Sequence, residues 1–146
     1  MENYLREIVD YGVLGLLGLM SVVSLGIVFE RLFFYASLRP EVLQLYKHKN
    51  HLELELSRNL TLLATIASNA PYVGLLGTVF GIMLTFVDIG SKGGASDAQT
   101  IMVGLALALK ATAFGLLVAI PSLFCYNLLL RKGEVIVIRW ENRHEA

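Results

Sequence analysis

The chain has 146 residues, and its 12 Lys and Arg residues balance its 12 Asp and Glu residues. Hydrophobic residues make up 55% of it and charged residues 16%, whereas a soluble domain carries about 25% charged residues. A neutral, strongly apolar chain of this size gives no indication of nucleic-acid binding, and it leaves no room for a soluble catalytic domain beside its three long apolar segments. The composition predicts a membrane-embedded protein.

The first apolar segment is uncharged from Tyr11 to Phe29, between Asp10 and Glu30. It is long enough to cross a bilayer as a helix, which takes about 20 residues. The acidic residues that precede it, and the Glu30-Arg31 pair that ends it, are not those of a cleaved signal peptide. We predict a retained transmembrane helix over about residues 10–33, with small residues for helix packing at Gly12, Gly15, Gly18 and Ser21.

A polar connection follows, over about residues 34–62. Between Ser37 and Arg58 charged and apolar residues alternate with helical spacing after a break at Pro40, which predicts a short helical connection. His48 and His51 match a zinc site weakly, because no cysteine lies near them, and we expect solvated histidines there. No pattern in the chain indicates a cofactor, a metal ion or a nucleophile with its base, so we expect a protein that is not an enzyme.

The second apolar segment is uncharged from Asn59 to Val87 and predicts a transmembrane helix over about residues 63–88. Its small and polar residues recur every three or four positions, which places them on one face of the helix. They are Gly74, Thr78, Gly81, Thr85 and Asp88. Gly77 and Gly81 add a Gly-x-x-x-Gly pair, a spacing that lets two membrane helices approach closely.

A turn over about residues 89–98 leads to the third apolar segment, predicted as a transmembrane helix over about residues 99–130, and then to a basic tail over residues 131–146. Lys110 is the only charge between Ala98 and Leu130. Small residues again share one helix face: Gly104, Ala108, Ala111, Gly115, Ala119 and Ser122. Because the last two segments exceed the bilayer thickness, we expect their inner ends to extend into the cytoplasm. The predicted fold class is an all-α membrane protein with three transmembrane helices in an oligomeric bundle.

Three polar residues lie deep within the predicted spans. Thr78 and Thr112 are separated from the Gly93-Gly94 turn by similar lengths of chain, so in an antiparallel hairpin their hydroxyls share one layer. Such hydroxyls either form a polar pathway or simply bond the carbonyl one turn back. Lys110 is costly inside a membrane, which points to a function, although it also fits the outer boundary of a shorter span by snorkelling. We favour the intramembrane position, because the shorter span would leave the apolar run 101–109 outside the membrane.

Lys110 and Thr112 lie about 200° apart on an ideal helix. They therefore do not both point into one lumen. We expect one of them to face a pore and the other a neighbouring subunit.

Basic residues are distributed one-sidedly outside the predicted spans. The N-terminal head has Arg6 and the second loop has Lys92. The first connection, counted from the Glu30-Arg31 pair, and the tail hold Arg31, Arg39, Lys47, Lys49, Arg58, Arg131, Lys132, Arg139 and Arg143. Because Lys and Arg near membrane spans favour the cytoplasmic side, we predict an N-terminus outside and a C-terminus in the cytoplasm.

Two stretches carry a family resemblance: APYVGLLGTVFGIM from Ala70 to Met83 and GLALALKATAFGLLVAIP from Gly104 to Pro121. They closely resemble ExbB, TolQ and the more distant MotA, and the likeness to ExbB is the strongest. The resemblance covers the second and third spans, with a less specific likeness at Phe29-Glu30-Arg31.

The resemblance implies a proton channel and motor of a bacterial inner membrane. ExbB-like chains form pentamers around single-span helices of an ExbD-type partner, and the complex drives TonB, which opens outer-membrane receptors. Protons are thought to pass an aspartate on the partner helix, opposite pore threonines that match Thr78 and Thr112. Two alternatives stay open: a TolQ-type subunit, which serves envelope maintenance, and a membrane scaffold that conducts no protons.

The chain departs from the family pattern in two places. Many members carry a glutamate where this chain has Leu107, and Lys110, one turn further on, replaces a commonly apolar residue. We hypothesise that Lys110 pairs with Asp88 or with a partner aspartate and lowers its pKa. The connection is also much shorter than the cytoplasmic domain of the longer ExbB and TolQ chains, so the tail is expected to do more of the cytoplasmic packing.

Overall fold

The computed structural model describes residues 1–145, apart from the side chain of Glu2. Its described part is helical with short connections. The helices are α1 (Glu2–Ser37), α2 (Pro40–Leu43), α3 (Lys49–Ser57), α4 (Leu60–Ser91) and α5 (Ala98–His144). By length and composition, α1, α4 and α5 are each apolar enough to cross a membrane. The prediction of an all-α protein with three such helices is confirmed, whereas its orientation in the membrane stays a prediction.

The three long helices pack side by side. α4 and α5 form an antiparallel hairpin in contact along its length, and α1 lies against both of them. α5 has 47 residues, which at 1.5 Å per residue is about 70 Å of helix, more than twice the hydrocarbon thickness of about 30 Å. The tail is therefore a direct continuation of the third apolar helix as far as His144.

The turn between α4 and α5 depends on glycine and on a side-chain cap. Gly93 and Gly94 have φ angles of +64° and +76°, a region that side chains with a Cβ rarely adopt. Asp97 then caps α5 by accepting a hydrogen bond from the Thr100 backbone N–H at 3.0 Å, as is usual for the first turn of a helix. Hydrogen bonds from the Thr100 hydroxyl and backbone N–H hold the pKa of the Asp97 carboxyl below its usual value.

The connection between α1 and α4 contains short helices, as the alternation predicts, and it folds back onto the long helices. Tyr35 on α1 donates a hydrogen bond to the Leu56 carbonyl of α3 at 2.6 Å, and Trp140 on α5 donates one to the Tyr46 carbonyl at 3.1 Å. Lys49 forms an ion pair with Glu141. The buried core here comprises Ile27, Tyr35, Leu43, Leu52, Leu56, Leu60, Leu63, Leu129, Val137 and Trp140. We call this end of the bundle, where α3 and the C-terminal part of α5 lie, the inner end.

Candidate functional site

Glycines on α4 allow α5 to lie directly against its backbone. A Cβ placed at Gly74 would lie 2.7 Å from the Ala111 carbonyl oxygen and 3.1 Å from the Gly115 Cα. A Cβ at Gly81 would lie 2.7 Å from the Ala108 Cβ. The two distances of 2.7 Å are shorter than a methyl group tolerates, so the close approach of the two helices requires glycine at both positions.

The other small residues predicted to pack are also at this contact. A Cβ at Gly77 would lie 2.7 Å from the Ala111 Cβ, one at Gly104 would lie 2.9 Å from Thr85, and one at Gly115 would lie 2.8 Å from the Ala70 carbonyl oxygen. Ala108 is 3% exposed. The predicted packing faces of the second and third spans are therefore confirmed.

The predicted packing face of the first span does not pack within the chain. A Cβ at Gly12, Gly15 or Gly18 would have no neighbour within 4 Å. The buried side of α1 is instead set by larger and polar residues, which recur at spacings of three, four or seven residues and so share one face of the helix: Leu17, Ser24, Ile27, Arg31 and Tyr35. The predicted role of these glycines in packing against another helix therefore finds no partner within the chain and stays a prediction.

Thr78 and Thr112 meet in the middle of the α4–α5 contact. Their hydroxyls are hydrogen-bonded to each other, which confirms that they share one layer. Thr78 Oγ1 also lies 3.3 Å from the Gly74 carbonyl oxygen and 3.2 Å from the Ala108 carbonyl oxygen, and Thr112 Oγ1 lies 3.4 Å from the Gly74 carbonyl oxygen. Thr78 is 7% exposed, whereas Thr112 is half-buried at the edge of the contact.

This arrangement gives the hydroxyl pair more acceptors than protons. Each threonine hydroxyl has one proton to donate and two lone pairs that accept. Three acceptors compete for the two protons: the Gly74 carbonyl, the Ala108 carbonyl and whichever hydroxyl accepts from the other. The pair can therefore reverse its donor direction by rotating hydroxyl protons, with no change in backbone position. Two such hydroxyls can hydrogen-bond an ionisable group in either of its protonation states.

Two further polar contacts cross the bundle, and sequence reasoning missed both. Ser24 on α1 and Ser122 on α5 share a buried hydroxyl–hydroxyl hydrogen bond of 2.7 Å. Arg6 donates to the Thr85 hydroxyl at 3.2 Å, and that hydroxyl donates to the Gly81 carbonyl at 2.9 Å. The helical spacing places Thr85 and Ser122 on packing faces, but it does not indicate which α1 residue lies opposite them.

Lys110 points away from the α4–α5 contact. It is exposed, as are its helix neighbours Leu107 and Leu109, and no ion pair involves it among residues 1–145. Asp88 pairs with Lys92 at 3.0 Å. The hypothesised Lys110–Asp88 pair is not formed. Because Gly81 packs against Ala108, Lys110 lies near the level of Val79, about 13 Å along α4 from Asp88.

The histidines of the connection do not form a metal site. Within the part of the chain that is described, no group of three metal-ligating side chains comes together. His48 is the N-terminal cap of α3, and His51 lies in its first turn. Both are exposed, and the His51 ring lies 5.9 Å from that of Tyr46.

Comparison with known proteins decides the family. Residues 28–142 match the model of the MotA/TolQ/ExbB proton channel family. The chain belongs to this family. The match includes the glycine-packed hairpin and the threonine pair, whereas Arg6 and Ser24 precede it.

Relatives in this family include proteins of the same size as this chain. The putative biopolymer transport protein ExbB-like 2 of Helicobacter pylori is 55% identical over 140 residues, which are 96% of this chain and 91% of that protein. The biopolymer transport protein ExbB of Aquifex aeolicus is 52% identical over 144 residues, 99% of this chain and 95% of that one. The Tol-Pal system protein TolQ of Pseudomonas aeruginosa is 43% identical over 88 residues, 60% of this chain and 38% of that protein. The chain is an ExbB-like, multi-pass membrane protein of a proton-channel family.

Proposed function

We propose that this chain is the ExbB-like subunit of an inner-membrane motor that uses the proton motive force. With an ExbD-type partner it energises TonB-dependent transport across the outer membrane. The observation that carries the proposal is the part-buried Thr78–Thr112 hydroxyl pair, held between two glycine-packed helices in a chain of a proton-channel family. The biopolymer transport names of the relatives that it matches from end to end support the same assignment.

The threonine pair suits the passage of protons through a carboxylate on a partner helix. Burial in a low-dielectric pore raises the pKa of a carboxylate, so that it can take up and release a proton. The half-buried Thr112 hydroxyl lies at the edge of the hairpin, and a reversible hydroxyl pair stabilises either protonation state of such a group. One charge that crosses 100 mV supplies about 2.3 kcal/mol, which can bias the partner helix between positions among five subunits.

Lys110 gives the pore or the subunit contact a fixed positive charge. It is exposed, and no ion pair involves it among residues 1–145. A membrane lysine is stabilised by a neighbouring group of opposite charge. The function proposed here therefore places a partner aspartate near Lys110, where the cation lowers the pKa of that carboxyl and eases proton release.

The proposed assembly is a homopentamer with the N-terminus outside and the C-terminus in the cytoplasm. The distribution of Lys and Arg supports the orientation. Helix faces left open within the chain, such as that of Gly12, Gly15 and Gly18, are available to neighbouring subunits. The connection between α1, which ends at Ser37, and α4, which begins at Leu60, is short, and the Helicobacter and Aquifex relatives have lengths similar to that of this chain.

Uptake in cells tests this function. In a strain that depends on this chain, Thr78→Val and Thr112→Val should each lower TonB-dependent uptake of a labelled ferric siderophore by about tenfold or more, because valine keeps the shape but removes the proton-carrying hydroxyl. Lys110→Met should impair uptake as well. The matched control is Thr65→Val on the same helix, since the exposed Thr65 hydroxyl only donates to the Thr61 carbonyl one turn back.

Membrane level and co-purification of the partner are measured alongside uptake. Lost uptake with an intact complex supports a proton pathway through these residues. Wild-type uptake in all three variants would contradict the proposed proton pathway and favour the non-conducting scaffold. Envelope defects with normal siderophore uptake would instead favour a TolQ-type role.

A further inference from the structure

The inner part of α5 carries opposite charges on its two flanks. Gly133, Val137 and Trp140 are buried and define the side that faces the bundle. At 100° per residue, the carboxylates of Glu134 and Glu141 lie on one flank. The cations lie roughly 180° away on the other flank: Lys132, Arg139 and Arg143.

The acidic flank borders an open groove between α3 and α5. This acidic groove has a volume of about 710 Å³. Three carboxylates and one lysine line it, namely Glu53, Glu134, Glu141 and Lys49. The lysine pairs with both Glu53 and Glu141, and Arg131 pairs with Glu134, so three carboxylates face two cations. Its apolar lining includes Leu54 (71% exposed), Ile138 (49%) and Leu130 (39%), so a substantial apolar surface lies open between acidic edges.

The three cations lie beside a smaller cavity of about 250 Å³ against α1 and α2. We call the surface formed by Lys132, Arg139 and Arg143, with Leu38, Leu43 and Ile136 beneath them, the basic flank. No carboxylate lines it, and among residues 1–145 none of the three cations forms an ion pair. The acidic groove thus has a net excess of carboxylates and the basic flank has an unpaired excess of cations, on opposite sides of one chain.

Two complementary surfaces on opposite sides of identical subunits are what a closed ring requires. In a head-to-tail contact, one surface of each subunit binds a different surface of the next. The subunits form a closed ring when the rotation between neighbours returns to the first subunit. An exposed apolar patch edged with charge is typical of a protein interface, and complementary charges favour the correct partner and register over wrong ones. A second copy of this chain carries the matching surface at the same depth.

We propose that the acidic groove of each subunit receives the basic flank of the next copy, and that this contact closes the ring at its inner end. The inference rests on the oligomer in the proposed function and adds its register and direction. Anionic lipid headgroups on the basic flank, or a basic peptide of another protein in the groove, are outcomes that the test distinguishes.

Cysteine cross-linking tests the contact in the full chain, in native membranes. Leu130→Cys places a thiol at the acidic groove and Lys132→Cys one on the basic flank, both in a Cys125→Ala background that removes the native thiol. The two positions differ by only about 3 Å along α5, so they lie at nearly the same depth on neighbouring copies. They point about 160° apart around the helix, so their Cβ atoms cannot be bridged by a disulfide within one chain. Oxidation should give a ladder of covalent oligomers from the double-cysteine chain, whereas each single-cysteine chain should stay monomeric on the gel.

Charge-reversal variants provide a second test of the contact. Glu53→Lys with Glu134→Lys should reduce the ladder by about tenfold, since like charges then face each other across the contact. Arg139→Glu with Arg143→Glu should do the same. A chain with both flanks reversed should regain the ladder, because its surfaces are again complementary, and this recovery excludes misfolding as the cause of the losses.

The native mass of the wild-type complex distinguishes a failure of the proposed function from a failure of the proposed contact between subunits. A monomeric wild-type chain would contradict the proposed function itself. A wild-type oligomer without a ladder, or a single-cysteine chain that forms dimers, would overturn the head-to-tail contact. A ladder that ignores charge reversal would overturn its electrostatic basis, and loss of bound anionic lipid with an unchanged ladder would assign the basic flank to lipid instead.

Discussion

Arg31 is a buried cation that joins α1 to the connection. It is 1% exposed, donates to the Glu55 carbonyl of α3 at 2.7 Å and forms an ion pair with Glu30. Its guanidinium also lies 4.6 Å from the centre of the Phe34 ring. Such a group is stabilising only while its partners remain, because a buried donor or acceptor left unpaired costs its full desolvation energy.

Arg31→Met should therefore destabilise the chain while keeping the length of the side chain. We expect the free energy of unfolding in detergent to fall by about 2 kcal/mol, since the Glu55 carbonyl loses a charged donor. The matched control is Arg131→Met, whose side chain is 72% exposed and pairs with Glu134 at 3.4 Å. That surface pair should contribute less than about 1 kcal/mol. Equal effects of the two changes would contradict a special role for the buried guanidinium.

Residue spacing predicted the threonine layer but not the polar contacts of α1. Thr78 and Thr112 belong to one hairpin, whose turn at Gly93-Gly94 fixes their relative depth. Ser24 and Ser122 belong to α1 and α5, which are separated in the chain by the connection and by α4. Their hydrogen bond therefore depends on how α1 is rotated against α5. Sequence periodicity shows which residues share a face of a helix. Which of two apolar faces is buried depends on how that helix packs against the other helices.

At the scale of the elements, the rotation of α1 determines which of its faces is buried within the chain. The sequence offers two plausible faces, one with small residues and one with Leu17, Ser24 and Arg31. The second is buried, because it supplies the partners for Ser122 and for the Glu55 carbonyl. Lone small residues indicate that a helix can approach another closely, but they do not indicate whether that helix belongs to the same chain.

The α4–α5 contact, by contrast, leaves no space for a side chain at Gly74. Gly74→Ala should cost about 1–3 kcal/mol of stability, because the new methyl group would meet only backbone atoms within 3.1 Å, including the Ala111 carbonyl oxygen. The helices must separate, which should also break the hydrogen bond from Thr112 to the Gly74 carbonyl. Thermal unfolding in detergent measures the change.

Gly90→Ala is the control on the same helix. A Cβ there has no neighbour within 4 Å, and alanine is the better helix former by up to about 1 kcal/mol. We expect unchanged or slightly higher stability. A similar loss at both positions would mean that the cost arises from glycine replacement in general and not from contact with α5.

At the scale of the whole molecule, the charges and the helix lengths favour the same orientation. Of the 12 Lys and Arg residues, only Arg6, Lys92 and Lys110 lie outside the first connection, counted from Glu30-Arg31, and the tail. The polar inner end also carries the buried core of α3 and the long extension of α5. Basic segments of this kind are retained on the cytoplasmic side during insertion, so the α4–α5 turn should face the opposite side.

Thiol labelling in spheroplasts with a membrane-impermeant maleimide tests this orientation. In a Cys125→Ala background, Ala95→Cys in the α4–α5 turn should be labelled in intact spheroplasts. Gln44→Cys in the connection and Asn142→Cys near the end of α5 should be labelled only after permeabilisation; all three positions are exposed in the fold. The reverse pattern would place the basic segments outside. Protons that enter from the outside would then reach the threonine layer from the end of the bundle where α3 lies. A motor driven by the inward proton gradient would require a different position of the partner carboxylate relative to Thr78 and Thr112.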